Sequence, residues 1–109
     1  MDTMLVLTNC PDEEVANTIA LAVVEARLAA CVNILPTIRS IYTWKGVPQT
    51  DEEQQLLIKT TSDQVDPLWE LLNDRHPYDV PEFLVVPVID GSEEYLKWVG
   101  QNVGPKAES

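Results

Sequence analysis

An α+β sandwich, one antiparallel sheet with its helices on one face, is the fold class this sequence predicts, and three observations predict it. The 109 residues suffice for a single compact domain, 1–109, built around one core. Short apolar runs closed by turn residues alternate with stretches whose apolar residues recur at three- and four-residue steps. A hairpin lies between the two helical stretches, so consecutive strands are expected to run antiparallel.

Thr3-Met4-Leu5-Val6-Leu7-Thr8 is an apolar run ended by Asn9-Cys10-Pro11, and it reads as a first strand buried on both faces. Pro11 in the first helical position, followed by Asp12, Glu13 and Glu14 at the positive end of the dipole, opens a helix. Its inner stripe is Val15, Ile19, Ala22, Val23 and Ala26, with Arg27 in the final turn. A second strand begins near Cys31. From Val32 to Trp44 a two-residue alternation, interrupted at Pro36, predicts one long bent strand. Proline cannot donate to a ladder, so Pro36 belongs at an edge or a bulge, and so long an edge invites pairing with another subunit.

Lys45-Gly46-Val47-Pro48 reads as a turn, and Glu52 to Thr61 as the return strand of a hairpin centred on Leu56-Leu57-Ile58. Ser62, Asp63 or Asp66 can cap a second helix, with Pro67 in its first turn and Val65, Leu68, Leu71 and Leu72 along its inner face. That helix stops before His76-Pro77, because a residue preceding proline disfavours helical geometry. Phe83 to Ile89 is a final strand and Asp90-Gly91-Ser92 turns it. An additional C-terminal helix, Glu94 to Val99, packs Leu96 and Val99 and leaves a frayed tail beyond Gly104. The resulting β-α-β-β-α-β order is the split βαβ arrangement of a ferredoxin-like sandwich.

Seven basic residues against eighteen acidic ones give a formal net charge of −11, which repels phosphate backbones and anionic bilayers alike. Nucleic acid and membrane are therefore excluded as partners. No apolar run reaches the roughly 20 residues of a membrane span, and Met1-Asp2-Thr3-Met4 lacks the basic opening of a signal peptide. Cytoplasm is the expected location, with the two cysteines as reduced thiols.

His76 is the only histidine, so sites needing two histidine ligands, or a histidine base beside a histidine ligand, are ruled out. There is no Gly-rich phosphate loop, no Cys-x-x-Cys pair and no Gly-x-Ser-x-Gly elbow, so no catalytic constellation is recognised and the protein is read as a non-enzyme. Cys10 lies where the helix macrodipole is expected to favour a thiolate, suited to soft-metal ligation; the alternative is a small turn residue. Cys31 opens a strand behind two alanines and reads as packing. The predicted topology separates the two thiols by about 20 Å within a subunit. His76 is expected at the Cys10 end of the first strand, so Cys10 and His76 make the more plausible local metal site, completed by a carboxylate such as Glu82 or by another subunit.

Glu53 and Lys59 share a strand face yet stand about 20 Å apart, so each needs a partner elsewhere and both are candidates for a polar pocket. Tyr42 and Trp44 share a face two residues apart. They read as core or interface residues, or as the apolar walls of a small-molecule pocket with Lys59, Glu53 or His76 as its polar groups.

Three segments stand out: Ser40-Ile41-Tyr42-Thr43-Trp44-Lys45-Gly46, Glu53 leading into Leu56-Leu57-Ile58-Lys59-Thr60, and His76-Pro77-Tyr78-Asp79-Val80-Pro81-Glu82. With Cys10-Pro11-Asp12, Ala29-Ala30-Cys31-Val32-Asn33 and Tyr95-Leu96-Lys97-Trp98, they make nearly the whole chain resemble the CutA-type divalent-cation tolerance proteins. The resemblance implies a ferredoxin-like fold, a homotrimer assembled through extended strands, and tolerance to divalent cations with copper binding among members. Trp44, Glu53, Lys59, His76, Tyr78 and Glu82 match positions typical of that family, and Cys31 matches a recurrent cysteine. Gln54 and Gln55 depart from it, replacing a more apolar segment. The expectation is a trimer holding copper or another divalent metal ion through Cys10, Cys31 and His76, with Trp44, Glu53, Lys59, Tyr78 and Glu82 in a binding pocket and no organic cofactor. Two alternatives stay open. One is a PII-like trimeric signalling protein with ligand sites between subunits, although the Lys45–Asp51 link is too short for the PII regulatory loop. The other is a structural partner of another protein.

Overall fold

The computed structural model describes residues 2–106. In chain order its elements are β1 (Thr3–Cys10), α1 (Glu13–Glu25), β2 (Cys31–Ile34), β3 (Ile38–Trp44), β4 (Val47–Thr61), α2 (Val65–Arg75), β5 (Leu84–Pro87) and α3 (Glu93–Gln101). A single turn of 3-10 helix, Ser62–Gln64, leads into α2. The sheet runs β2-β4-β1-β5 with β3 continuing along β4, and every pairing is antiparallel. Since β1 and β2 both oppose β4, they run parallel to each other with β4 between them, as expected.

Alternation along β1 and β4 sends Val6, Thr8, Cys10, Leu56, Ile58 and Thr60 to one face, where all are buried. Ala16, Ile19, Ala20 and Val23 of α1, with Leu68 and Leu72 of α2, close that face into the core. The stripe of α1 is thus turned about one position from the expected one: Ala22 and Ala26 lie outside the buried set and Val15 packs at its margin. Alanines at 16 and 20 let the helix approach the strands closely.

The other face carries only α3, at the end that holds Cys31 and Thr61, where Tyr95 stands beside Cys31. It is otherwise not buried within the chain, contrary to the two-sided burial expected for the first strand and to the expectation of helices on one face alone. Leu5, Leu7 and Asn9 are only half-buried there, and Leu84 and Val86 beside them on β5 are exposed.

Several boundaries differ from the sequence reading for identifiable reasons. Asp12, not Pro11, sets the start of α1: its carboxylate accepts the Val15 N–H at 2.9 Å, which makes Glu13 the first helical residue. The expected four-residue turn is only Lys45-Gly46, both at positive φ (51° and 78°), the geometry of a two-residue hairpin turn. Strand β4 therefore begins at Val47, five residues earlier than expected. Pro48 is tolerated because it opposes Thr43 next to the turn-closing Trp44–Val47 pair, where its nitrogen faces outward.

The long strand predicted around Pro36 is split into β2 and β3 by a bulge. Ile34 opposes Leu56 while Ile38 opposes Glu53, so four steps on one side match three on the other. Helix α2 is entered through Gln64 with no side-chain cap, because the Asp63 carboxylate is occupied by the Thr61 hydroxyl and the Gln64 amide. It ends at His76, whose extended backbone (ψ 135°) is what Pro77 requires. Strand β5 is shorter than predicted, four residues against Met4–Leu7 of β1. Helix α3 is longer, capped by Ser92 through the Tyr95 N–H, with Val99 buried and Leu96 half-buried. Most of the tail expected to fray lies outside the described residues.

Candidate functional site

A cleft of about 760 Å³ opens on the half-covered face, where β1 stops and β4 continues into its hairpin with β3. The segment between α2 and β5 forms its far wall. That wall is anchored by His76, which is 7% exposed. Its Nε2–H donates to the Asn9 carbonyl at 2.7 Å, and its Nδ1 accepts the Tyr78 N–H at 3.1 Å. Because a carbonyl can only accept and an amide N–H only donate, the two bonds fix one neutral tautomer. The Tyr78 ring packs 4.7 Å from the imidazole, and its hydroxyl donates to Glu53 Oε2 at 2.8 Å. A continuous chain of contacts thus runs from the end of β1 through His76 and Tyr78 to Glu53 on β4.

The near wall comes from the hairpin. Tyr42 and Trp44 of β3 present their rings to the cleft, and the Tyr42 hydroxyl donates to Asp51, its diagonal neighbour on β4. Glu82 closes the floor with Asn9. Burial, and then the charge of Glu53, push the Glu82 carboxyl above the usual carboxylate range. Burial and the hydrogen bond to Glu53 raise the Tyr78 phenol in the same way.

Of the expected pocket residues, Trp44, Glu53, Tyr78 and Glu82 therefore come together. Lys59 does not join them. Six residues along β4 from Glu53, it bonds the Asn33 side chain and lies 3.9 Å from the Cys31 sulfur. Tyr95 of α3 stands beside the same thiol, and burial together with that neighbour raises its phenol.

The metal candidates are dispersed. Cys10 is wholly buried, and burial, then Glu53 and Asp12, push its thiol up to about 12. This corrects the expectation of a dipole-stabilised thiolate: removal from water and two nearby carboxylates outweigh the helix end. His76 does reach the Cys10 end of β1, but it binds the Asn9 backbone and both ring nitrogens are occupied. Cys31 is half-buried at the other end of the sheet, and both thiols are free. Among the described residues no three of His, Cys, Asp and Glu form a group able to hold a metal ion.

Asn9, Asp51 and Asp79 also line the cleft and were not picked out from the sequence. For Asp51 a signal existed. Reading Lys45-Gly46 as a two-residue turn fixes the hairpin register and places Asp51 diagonal to Tyr42.

A mixed α+β chain, with its antiparallel sheet covered by α1 and α2 on one side and bearing α3 and an acidic, aromatic cleft on the other, is the class of protein these features define. The chain belongs to the CutA1 divalent ion tolerance protein family, whose model matches residues 4–102. It is 50% identical over 100 residues to the divalent-cation tolerance protein CutA of Thermus thermophilus, covering 92% of this chain and 97% of that one. It is 51% identical to human protein CutA over 92 residues, 84% of this chain but 51% of the human protein, so it spans about half of that longer relative. The solved Thermus thermophilus divalent cation tolerance protein superposes with a TM-score of 0.92 at 49% identity, covering 94% of this chain and 99% of that one. CutA1 from Oryza sativa superposes with a TM-score of 0.93 at 38% identity, covering 95% of each chain.

Proposed function

We propose that this chain works in tolerance of divalent cations as a ferredoxin-like homotrimer that binds copper or another divalent metal ion. The observation that carries this reading is 50% identity, over 92% of the chain, to a protein named for divalent-cation tolerance. Assembly is supported by the uncovered sheet face, where Leu5, Leu7 and Leu57 are half-buried and Leu84 is 54% exposed. Water contact with that much clustered apolar surface is unfavourable, and a second copy would relieve it. Because no described group of three ligands exists within one chain, a bound ion would draw its ligands from more than one copy. The proposed role is binding rather than catalysis, in the cytoplasm, in keeping with two free thiols.

Equilibrium dialysis of chelator-stripped protein against copper and zinc tests the metal reading. Saturable uptake that is lost in Cys31→Ser and retained in Cys10→Ser is the expected result. Uptake that never saturates would remove specific binding.

A second reading is favoured by the cleft. Trp44, Glu53, Tyr78 and Glu82 come from three separate segments of the chain yet line one cavity. This supports a PII-like ligand-binding trimer, with the cleft as the small-molecule site.

A further inference from the structure

At the end of the sheet remote from the cleft, a thiol meets an amine. Cys31 on the edge strand β2 directly opposes Lys59 on β4, so the two side chains leave the same face of the sheet as neighbours. Lys59 Nζ stands 3.9 Å from the Cys31 sulfur. The amine is also held in place, because it donates to the side-chain oxygen of Asn33, two residues along β2 and therefore on the same face. Tyr95 of α3 closes over the thiol from within the same chain. Ligation of a metal ion by the sulfur gives this amine no part to play.

Cys10 offers the contrast. It opposes Gln54 whereas Cys31 opposes Lys59, so five residues of β4, about 17 Å, separate the two thiols, which puts them beyond the reach of a disulfide. Cys10 is wholly buried, while Cys31 is half-buried. A partly exposed thiol beside a cation is the kind that peroxides oxidise. With no second thiol of the chain in range, the group that meets the oxidised sulfur is the Lys59 amine.

We propose that Cys31 and Lys59 form a peroxide-responsive pair that closes into a reversible sulfur–nitrogen cross-link. In the first step the sulfur takes one oxygen from hydrogen peroxide, giving a sulfenic acid and water. In the second the Lys59 nitrogen attacks that sulfur, the S–N bond forms and the S–O bond breaks. The ammonium gives up two protons, one to the leaving hydroxide as water and one to solvent. A thiol reductant reverses the bond: one thiol attacks the sulfur and frees the amine, a second frees Cys31, and the reductant leaves as its disulfide. While it lasts, the cross-link ties the edge strand β2 to β4 and withdraws the sulfur from metal ligation. Hydrogen peroxide is little larger than water and the reacting groups are already neighbours, so the step needs no site kept open by assembly.

The test treats the chelator-stripped protein with a small excess of hydrogen peroxide, quenches it, and reads the intact mass and a peptide map without reductant. Expected are a loss of two hydrogens per chain, joined peptides carrying Cys31 and Lys59, and recovery of the starting mass with a thiol reductant. In Lys59→Arg, which keeps the charge without the amine, Cys31 should instead run on to sulfinic acid, a gain of oxygen that the reductant does not reverse. A wild type that goes to sulfinic acid, or that joins two copies through Cys31, overturns the proposal. So does the same loss of two hydrogens at Cys31 in Lys59→Arg. A joined pair that retains an oxygen between the two atoms overturns the direct bond. Should Lys59→Arg not fold, wild type oxidised in urea makes the comparison. The joined peptides are expected only from the folded chain, and an equal yield from the unfolded one overturns the proposal.

Discussion

Burial and two neighbouring carboxylates decide the chemistry of Cys10. Its thiol is pushed from 9.0 up to about 12. Between those values the unfolded chain gives up a proton that the folded chain keeps. The stabilisation is therefore whole below about pH 9 and declines as pH rises toward 12, at up to about 1.4 kcal/mol per unit. Urea titrations should show a steeper loss in wild type than in Cys10→Ala between about pH 9 and 10, below the range where the raised Tyr78 contributes; parallel slopes would contradict this. Thr8 is wholly buried with its hydroxyl unpartnered, so Thr8→Val, nearly the same shape, should raise stability by about 1 kcal/mol in the same assay. Tyr78→Phe removes the donor to the buried Glu53 carboxylate and should cost about 1–3 kcal/mol. A neutral effect would show that Glu53 is satisfied by water. None of these three environments was legible in the sequence, since each depends on what a distant segment places against the side chain.

At the scale of elements, the order of strands and helices was legible because its signals are local: apolar periodicity, the acids after Pro11 at the start of α1, the Asp90-Gly91-Ser92 turn before α3 and Pro77 after α2. The capping roles of Asp12 and Ser92 were not read. The pairing of β4 was only partly legible. Gly46 signals positive φ but Lys45 does not, so the turn read as four residues and the register that brings Asp51 to Tyr42 was not drawn from it. Arg27 is the same kind of case. It ends α1 at φ 58°, a conformation that costs a non-glycine residue on the order of 1 kcal/mol. Its side chain offsets that by donating to the Gly104 carbonyl at 2.6 Å and the Gln101 carbonyl at 2.8 Å, which fastens the end of α3 to the end of α1. Arg27→Ala keeps the strained backbone and loses both bonds, so it should destabilise by about 1–3 kcal/mol and raise amide exchange in the last turn of α3. Unchanged exchange there would show that the hydrophobic contacts of Val99 and Val103 hold the helix unaided.

On the scale of the whole molecule, the shape follows from one element. Fifteen residues of β4 at about 3.4 Å each account for most of the 53 Å long axis, and its outer half carries the exposed hairpin. Helices α1 and α2 cover one face of the sheet, and α3 covers only the end of the other that holds Cys31 and Thr61. This leaves Leu5, Leu7, Leu57, Leu84 and Val86 on a surface that the alternation of β1 and β4 marks as a core still lacking most of its second layer. The pocket half of the candidate site was legible through Trp44, Glu53, Tyr78 and Glu82. The metal half was not, because Cys31 lies at the far end of the sheet from Cys10 and His76, Cys10 is wholly buried, and both ring nitrogens of His76 are engaged. Assembly and cation binding are one claim, because no described group of three ligands exists within one chain. Native mass spectrometry of the chelator-stripped protein, alone and with copper, tests it most directly. The account predicts a trimer that takes up a fixed whole number of ions, with Leu7→Lys on the open face abolishing both assembly and uptake. A monomer, or a trimer showing only a statistical ladder of weak adducts, would contradict it.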